Sequence, residues 1–330
     1  MKIRYSFVIL LSLVLLIGCS SAGADGKLKK IVFADAKWDS IQVHSYIAGK
    51  ILEAGYGYET ELMAGSTAAT IQGLRQGDIH VYMEIWTENI RDVYDEAINS
   101  GDIEKVSTNF ADNDQGLYVP AYVIEGDEER GIEPLAPDLE TVEDLKKYPH
   151  IFKDPENPDR GRIINAPAGW EVDQSIKAKM AYYGLDETYN DFMPGSDAAI
   201  ITSLAAAYEK GEAWVGYYWE PTAVTAKYDL ILLKEEPYDE EKWIETSGTA
   251  FPPNEVNIAV NHQLSDQAPE VVDLLSKYET SSELTEAALA YMEKQAANAE
   301  EAAIWWLTEY EDVWTEWVDK ETAQKVKDSL

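Results

Sequence analysis

The chain has 330 residues, 45% of them hydrophobic and 27% charged, and its 61 acidic against 27 basic residues give a formal net charge of −34. A protein this negative repels nucleic acid and anionic membrane surfaces, so we expect no nucleic-acid partner. The single cysteine excludes an intramolecular disulfide. The length and apolar content suffice for two domains of ordinary size.

The N-terminal segment has the layout of a secretory signal. The basic start MKIR precedes an apolar stretch, Phe7 to Ile17, that is too short to span a membrane and ends at Gly18-Cys19. This ending resembles the lipobox of bacterial lipoproteins, although a signal cleaved elsewhere beside an incidental cysteine is the alternative. We expect a lipoprotein signal peptide over 1–18, lipidation of Cys19 and a tether over 19–27. The lipid would hold the protein on the cell membrane, facing the periplasm or the cell surface.

Two stretches of the chain are built alike. They run from Gly65 to Trp86 (GSTAATIQGLRQGDIHVYMEIW) and from Gly195 to Pro221 (GSDAAIITSLAAAYEKGEAWVGYYWEP). Each begins with Gly-Ser, as a capped helix would, and continues with an Ala-Ala pair, a Gly-acid pair and a short aromatic run of strand character that reaches a Trp. The later stretch has four extra residues before its second Gly, about one helical turn. We interpret the two stretches as structurally equivalent units.

The similarity extends upstream to a Trp that follows an apolar run in each unit. Trp38 follows Ile31 to Ala36, and Trp170 follows Ile163 to Ala168. Each unit therefore reads strand, Trp, helix, strand, capped helix, strand, Trp. In parallel sheets such Trp residues lie at the carboxyl edge, where open α/β sheets bind ligands. Two facing edges would form one cleft lined by Trp38, Trp86, Trp170 and Trp219.

The rest of the chain predicts two lobes without a single flexible linker, so the chain is expected to cross between them more than once. The apolar runs Leu117 to Ile124 and Val256 to Val260 are predicted as the crossing strands. Lobe I would comprise 28–113 plus 250–330, and lobe II would comprise 114–249.

The C-terminal region from Ala290 to Val326 is predicted to be helical. Its large apolar residues recur at steps of three and four, which places them on one helix face. We expect them to be core residues rather than ligand contacts: Trp306, Tyr310, Val313, Trp314 and Trp317.

Sequence signatures of enzymes are missing. The chain has no Gly-x-Ser-x-Gly motif, no Gly-rich phosphate loop and no histidine pair at metal spacing. The loop Asp154 to Gly161 looks superficially like a calcium loop, but Pro155 and Pro158 break its alternation of ligands. We therefore expect no metal, no cofactor and no catalytic activity. Two alternatives stay open: an adhesion lipoprotein, and a sugar-binding protein or glycosidase using acids near the cleft, namely Glu84, Glu88, Glu171 and Glu220.

Four indoles around one cleft favour a cation whose charge is spread over methyl groups and is only weakly hydrated. Each desolvated cation–π contact contributes up to about 2 kcal/mol. Three or four such contacts are enough for affinity near the micromolar range, which corresponds to about −8 kcal/mol. A lysine-type ammonium would lose much more hydration free energy on entering the same cleft.

The segments around these residues resemble a known family, the substrate-binding lipoproteins of ABC importers for glycine betaine, choline and related compatible solutes. The similar segments are KWDSIQVHSYIAG, QGLRQGDIHVYMEIW, NAPAGWE and GYYWEPT. The resemblance implies an α/β, two-lobed periplasmic-binding-protein fold of type II, with a sheet flanked by helices in each lobe and the ligand between the lobes. It also implies a monomer that delivers a quaternary ammonium ligand to an ABC permease and its ATPase subunits.

The resemblance assigns roles to residues of the cleft. The four indoles would form the cage, with Trp38 at a position that choline-binding relatives use. Backbone N–H groups of Gly169, Trp170 and Glu171 would hold a betaine carboxylate, but the histidine that assists them in betaine-binding members is replaced by Ile90. Asp39 and Glu171 either face the cation or cap their helices. We expect glycine betaine to bind at least about tenfold tighter than choline, with choline, carnitine and proline betaine as alternative main ligands.

Overall fold

The computed structural model describes residues 28–330. The predicted signal peptide, lipidated Cys19 and tether lie outside the described residues. Within 28–330, no helix combines the length and the apolar character needed to cross a membrane.

Within the described residues, ten strands form two five-stranded sheets. The strands are β1 Lys30–Asp35, β2 Glu59–Ala64, β3 Val81–Trp86, β4 Ile103–Phe110, β5 Asp114–Pro120, β6 Gly161–Ile164, β7 Tyr189–Phe192, β8 Gly216–Glu220, β9 Leu230–Leu232 and β10 Val256–Asn261. The first sheet has the order β2-β1-β3-β10-β4 and the second has the order β7-β6-β8-β5-β9. In each sheet the three strands of the repeated unit are parallel, and the added strand beside them is antiparallel.

Helices cover the sheets. They are α1 Asp39–Ile51, α2 Thr67–Gln76, α3 Arg91–Asn99, α4 Ala121–Glu125, α5 Val172–Tyr182, α6 Asp197–Lys210, α7 Ala223–Lys227, α8 Glu240–Thr246, α9 Leu264–Gln267, α10 Pro269–Leu275, α11 Ser282–Gln295, α12 Ala299–Glu309, α13 Glu311–Trp314 and α14 Lys320–Lys327. Shorter turns of 3-10 helix lie at Thr87–Ile90, Glu143–Lys147, Leu185–Glu187 and Thr315–Trp317, and a π-helical turn follows α1 at Leu52–Tyr56.

The repeated units have the same topology. In the first unit β1-α1-β2-α2-β3 places β1 between β2 and β3, and in the second unit β6-α5-β7-α6-β8 places β6 between β7 and β8. Ser66 caps α2 by accepting a hydrogen bond from the Ala69 N–H at 3.4 Å, and Ser196 caps α6 by accepting one from Ala199 at 3.3 Å. The structure thus confirms the equivalence predicted from the Gly-Ser starts.

The predicted single C-terminal helix is interrupted. Tyr310, at φ −107° and ψ 42°, separates α12 from α13, and a 3-10 turn follows α13. Trp306, Trp314 and Trp317 are nevertheless buried in one core cluster against the first sheet, as their spacing predicted. The break lets them pack from different short helices, with the Trp314 Nε1–H donating to the Leu307 carbonyl at 2.7 Å.

The predicted crossing strands are only partly correct. β5 ends at Pro120, and the remainder of the predicted strand forms α4, Ala121–Glu125. Each of β5 and β10 lies wholly within one sheet, so the chain passes between the sheets in the irregular segments that precede them. Proline lacks the N–H needed to continue a strand ladder, which explains why β5 stops there.

Candidate functional site

The four predicted Trp residues lie around one cavity between the two sheets. Trp38 follows β1, Trp86 ends β3, Trp170 follows β6 and Trp219 lies in β8. The cavity, which we call the cage, has about 430 Å³ of space around it when the adjoining open solvent is included. Its lining is completed by Thr67, Tyr82, Ile85, Asn89, Ile90 and Tyr217.

Three of the indoles meet nearly at right angles. The Trp38 and Trp170 ring centroids are 5.7 Å apart with an interplanar angle of 76°, and those of Trp170 and Trp219 are 5.2 Å apart at 78°. Tyr217 stacks on Trp219 at 6.0 Å and 24°. Perpendicular rings present aromatic faces to a common space from several sides, which suits a roughly spherical cation.

A buried carboxylate holds two of these indoles. Glu84 Oε1 accepts hydrogen bonds from the Trp38 Nε1–H at 2.8 Å, the Trp86 Nε1–H at 3.0 Å and the Ser40 hydroxyl at 2.9 Å. Glu84 is fully buried. Burial raises its pKa to about 7, and the three hydrogen-bond donors oppose that rise. The sequence analysis placed Glu84 near the cleft as an acid for the glycosidase alternative. Its position as the lone acid in the otherwise apolar strand VYMEIW was the signal that could have indicated a structural role.

The turn that carries Trp170 has an unusual backbone. Gly169 has φ +88°, and Glu171 has φ 64°. The Trp170 N–H donates to the Pro167 carbonyl at 3.2 Å. Within residues 28–330, the Gly169 and Glu171 N–H groups have no hydrogen-bond acceptor.

Neither acid beside the cage caps a helix, so that prediction was wrong. Trp38 is the N-cap residue of α1 and Glu171 that of α5, and neither helix has a side-chain cap hydrogen bond. Asp39 is exposed and lines a neighbouring cavity that shares Trp38 and Trp219 with the cage. Asp197 lines the same cavity. Its burial, and to a smaller extent the charge of Asp39, raises the pKa of Asp197 to about 7.

An amide pair joins the two sides of the cage. Asn89, in the turn after β3, donates to Gln115 Oε1 at 3.2 Å, and the Gln115 side chain of β5 donates back to Asn89 Oδ1 at 3.0 Å. The Tyr217 hydroxyl also donates to Gln115 Oε1, at 3.0 Å. Nothing in the local sequence indicated this network, because its members lie on elements that are distant in the chain.

The lining carries no carboxylate, ammonium, guanidinium or imidazole group among the described residues. Ile90 occupies the lining where betaine-binding relatives were expected to have histidine. Glu88 is bound to Arg91, with its Oε2 accepting from Nε at 2.8 Å, and Glu220 accepts from the Tyr118 hydroxyl at 3.2 Å. The paired acids that a glycosidase needs on either side of its substrate are thus not found on this lining.

Known proteins share this architecture. The trimethylamine N-oxide-binding protein of Pelagibacter ubique (strain HTCC1062) is 25% identical over 313 residues, covering 93% of this chain and 96% of that protein. An ABC-transporter choline-binding protein in complex with choline matches with a TM-score of 0.73 at 20% identity, covering 91% of this chain and 98% of that one. Lactococcal OpuAC, closed on glycine betaine, matches with a TM-score of 0.70 at 19% identity, covering 88% and 100%.

The two structural matches show that the fold is that of periplasmic binding proteins. A family model for the substrate-binding domain of ABC-type glycine betaine transport systems matches residues 29–309. Proteins of this family work outside the cytoplasm, where they bind a small ligand and deliver it to an ABC permease, and the family is not an enzyme family. The chain therefore belongs to the family of substrate-binding domains of ABC-type glycine betaine transport systems.

Proposed function

We propose that this protein captures glycine betaine, or a related solute with a quaternary ammonium group, in the cage and delivers it to an ABC permease and its ATPase subunits. The observation that carries the proposal is the perpendicular series of Trp38, Trp170 and Trp219, with ring centroids 5.7 and 5.2 Å apart. Together with Trp86 it offers aromatic faces without any charged lining group.

This arrangement selects by hydration and shape. Each desolvated cation–π contact contributes up to about 2 kcal/mol, so three or four contribute roughly 6 to 8 kcal/mol before ordering costs. That corresponds to affinity near micromolar. A primary ammonium needs hydrogen-bond acceptors to replace its lost water, and the lining offers few of them.

The free donors beside Trp170 support a ligand with an anionic end. The Gly169 and Glu171 N–H groups adjoin the start of α5, where the helix dipole favours negative charge. Charge-assisted hydrogen bonds are about twice as strong as neutral ones, so a carboxylate gains more there than a hydroxyl. Glycine betaine is therefore the proposed main ligand, and choline, carnitine and proline betaine are the alternatives.

Trimethylamine N-oxide is a second candidate. The relative named for binding it matches 93% of this chain. Its short oxide would need fewer donors than a carboxylate, which fits a lining in which Ile90 has no hydrogen-bonding side chain.

We further propose that the lobes comprise 28–113 plus 250–330 and 114–249, because each sheet takes its strands from one of these sets. Lipid attachment at Cys19, after a signal peptide over 1–18, would keep this monomer at the cell surface beside its permease.

Calorimetric titration of the full chain with these five solutes tests the proposal. We expect micromolar binding of glycine betaine, at least about tenfold tighter than choline, because 1.4 kcal/mol is a factor of ten. Trp219→Ala is the control that should lose binding. Failure of all five solutes to bind the folded protein would refute the proposal, whereas choline binding as tightly as betaine would change only the assigned ligand.

A further inference from the structure

Glu84 lies at the Nε1 edges of two of the cage indoles, Trp38 and Trp86, and is the only charged residue of β3, a strand whose six residues are all buried. Its Oε1 atom accepts all three hydrogen bonds, from Trp38, Trp86 and Ser40 at 2.8, 3.0 and 2.9 Å. These bonds fix the ring planes of the two indoles that the first sheet contributes to the cage.

The second carboxyl oxygen has no partner. Glu84 Oε2 is buried without a hydrogen bond among the described residues. If Glu84 is protonated, a hydroxyl at Oε2 therefore has no acceptor; if it is ionised, the negative charge has no positive partner in the surrounding protein. Buried polar groups left in this condition are unfavourable, so neither protonation state of Glu84 is well satisfied by the surrounding protein.

The titratable groups around Glu84 are neutral at physiological pH. They come from three elements: Tyr82 from β3, Tyr278 from the segment after α10, and His44 from α1, whose ring contacts Tyr278 at 2.8 Å. Burial raises the pKa of both tyrosines and lowers the pKa of His44 to about 3. Asp39, next to Trp38, is exposed on the neighbouring cavity. None of these groups supplies a positive charge to Glu84.

We propose that Glu84 is the positioning residue and the counter-charge of the cage, and that a quaternary ammonium entering the cage drives ionisation of Glu84 and release of its proton. The inference rests on the proposed function, because it takes a quaternary ammonium as the ligand. The same carboxylate aligns the indoles and attracts the cation that they receive.

Cation binding and the ionisation of Glu84 should favour each other. Burial raises the pKa of Glu84 to about 7 in the protein alone, so this group changes its protonation around neutral pH. A cation nearby favours the charged form and lowers that pKa in the complex. Binding therefore releases a proton, and affinity rises as pH increases through 7. A permanent cation such as choline gains more from this carboxylate than a zwitterion does, because no second carboxylate accompanies its charge.

Choline is the probe, since its charge does not change between pH 6 and pH 8. We expect its Kd to fall by up to about tenfold over this range in the full-length protein, because a group with a pKa of about 7 goes from mostly protonated at pH 6 to mostly ionised at pH 8. Calorimetry in buffers of different ionisation enthalpy should show release of about half a proton or less per bound choline at pH 7, and of a larger fraction at pH 6.

Glu84→Gln and Asp197→Asn form a matched pair, because each replaces one of the two acids with its amide. Glu84→Gln keeps an oxygen for the three donors but has no charge, so its choline affinity should be lower and independent of pH. Glu84→Ala should bind more weakly still, because it also loses the alignment of the indoles. Asp197→Asn removes the other acid with a pKa of about 7, which lines the neighbouring cavity instead of the cage, and should keep the proton release of the parent protein.

Several results would overturn the inference. Choline binding to the parent protein without pH dependence or proton release would refute the role of Glu84 and leave the proposed function intact. Proton release that persists in Glu84→Gln and disappears in Asp197→Asn would transfer the coupling to the other acid. If no quaternary ammonium binds at any pH, both proposals fail. Should Glu84→Gln not fold, by near-ultraviolet circular dichroism, the parent protein and Asp197→Asn still decide the outcome.

Discussion

Trp38 and Trp170 meet edge to face, with ring centroids 5.7 Å apart, although one follows the first strand of the first sheet and the other the first strand of the second. Edge-to-face pairs at 4.5 to 7 Å are favourable contacts. The shape of the cage thus depends on how closely the two sheets approach each other. A ligand enclosed between these rings has to enter before they meet.

Ligand binding should therefore compact the protein. We expect small-angle scattering to show a smaller radius of gyration when saturating glycine betaine is added, because hinge closure brings the sheet edges together. Trp219→Ala is the control, and its radius of gyration should not change at the same solute concentration. An unchanged radius at saturation of the parent protein would argue against a cleft that closes between the sheets.

The cage and core tryptophans should respond differently to truncation. Trp219→Ala should lose on the order of 2 kcal/mol or more of binding free energy, and Trp219→Phe less, because a weaker π face remains. Trp314 is 0% exposed, so Trp314→Ala should instead lower the free energy of unfolding of the protein by about 3 to 5 kcal/mol. Calorimetric titration and denaturant unfolding measure the two effects. Equal loss of affinity in a folded Trp314→Ala would contradict this division.

The amide pair of Asn89 and Gln115 should stabilise the closed state. Gln115→Ala removes two reciprocal hydrogen bonds with Asn89 and one from Tyr217, and leaves the Tyr217 hydroxyl and the Asn89 amide N–H without these acceptors. We expect about 1 to 2 kcal/mol weaker binding, roughly 5- to 30-fold, mostly as faster ligand dissociation in stopped-flow fluorescence. Gln324→Ala is the control, since Gln324 bonds only to Asp328 on the surface. Equal dissociation rates in the two variants would exclude a role for the pair in closure.

The close approach of Gly169 to Ser66 should make Gly169→Ala harmful to binding. Gly169 has φ +88°, and a Cβ atom there would lie 3.3 Å from the Ser66 Cβ across the cleft. Gly57→Ala is a matched control, because Gly57 has φ +79° and an added Cβ would meet nothing within 4 Å. Both variants should lose about 1 kcal/mol or more of stability from backbone strain. Titration with glycine betaine should show weaker binding only in Gly169→Ala, and equal affinities would contradict the crowding argument.

Acid should destabilise the fold through His44. Burial lowers its pKa from 6.5 to about 3, so below pH 6.5 the unfolded chain binds a proton that the folded protein does not. Through His44, the free energy of unfolding therefore decreases by up to about 1.4 kcal/mol for each pH unit as pH falls from 6.5 to 3. Glu84 and Asp197, whose pKa values are raised to about 7, act in the opposite sense.

The comparison of the parent protein with His44→Gln isolates this effect from that of the acids. Denaturant unfolding from pH 7 to pH 4 should show a smaller loss of stability with falling pH in the variant. Parallel pH curves for the two proteins would mean that His44 is protonated in the folded state.

Local sequence patterns were enough to predict the helices and the tryptophans around the site. The Gly-Ser starts at 65 and 195 predicted the capped helices. The Trp residues that end the two units, together with the Trp that follows the first apolar run of each unit, predicted four of the residues that line the cage. The hydrogen bonds of Glu84 could not be predicted, because Trp38 and Ser40 reach it from 46 and 44 residues away in the chain. The same limit applies to Gln115 and Asn89. The capping prediction for Asp39 failed because Asp39 is the first residue of α1 and Trp38 before it is the N-cap residue, and no pattern distinguishes these two starts.

The two units differ at the position two residues before their final Trp, which is Glu84 in the first and Tyr217 in the second. A trimethylated nitrogen is nearly round and would rotate freely in an uncharged box. With an ionised carboxylate at the Nε1 edges of Trp38 and Trp86, on the side of the first sheet, an electric field would run across the space. A tailed ligand therefore has one favoured polarity, with its ammonium towards the first sheet and its tail towards the Gly169 turn. The protein would hand over every ligand molecule to its permease in the same orientation.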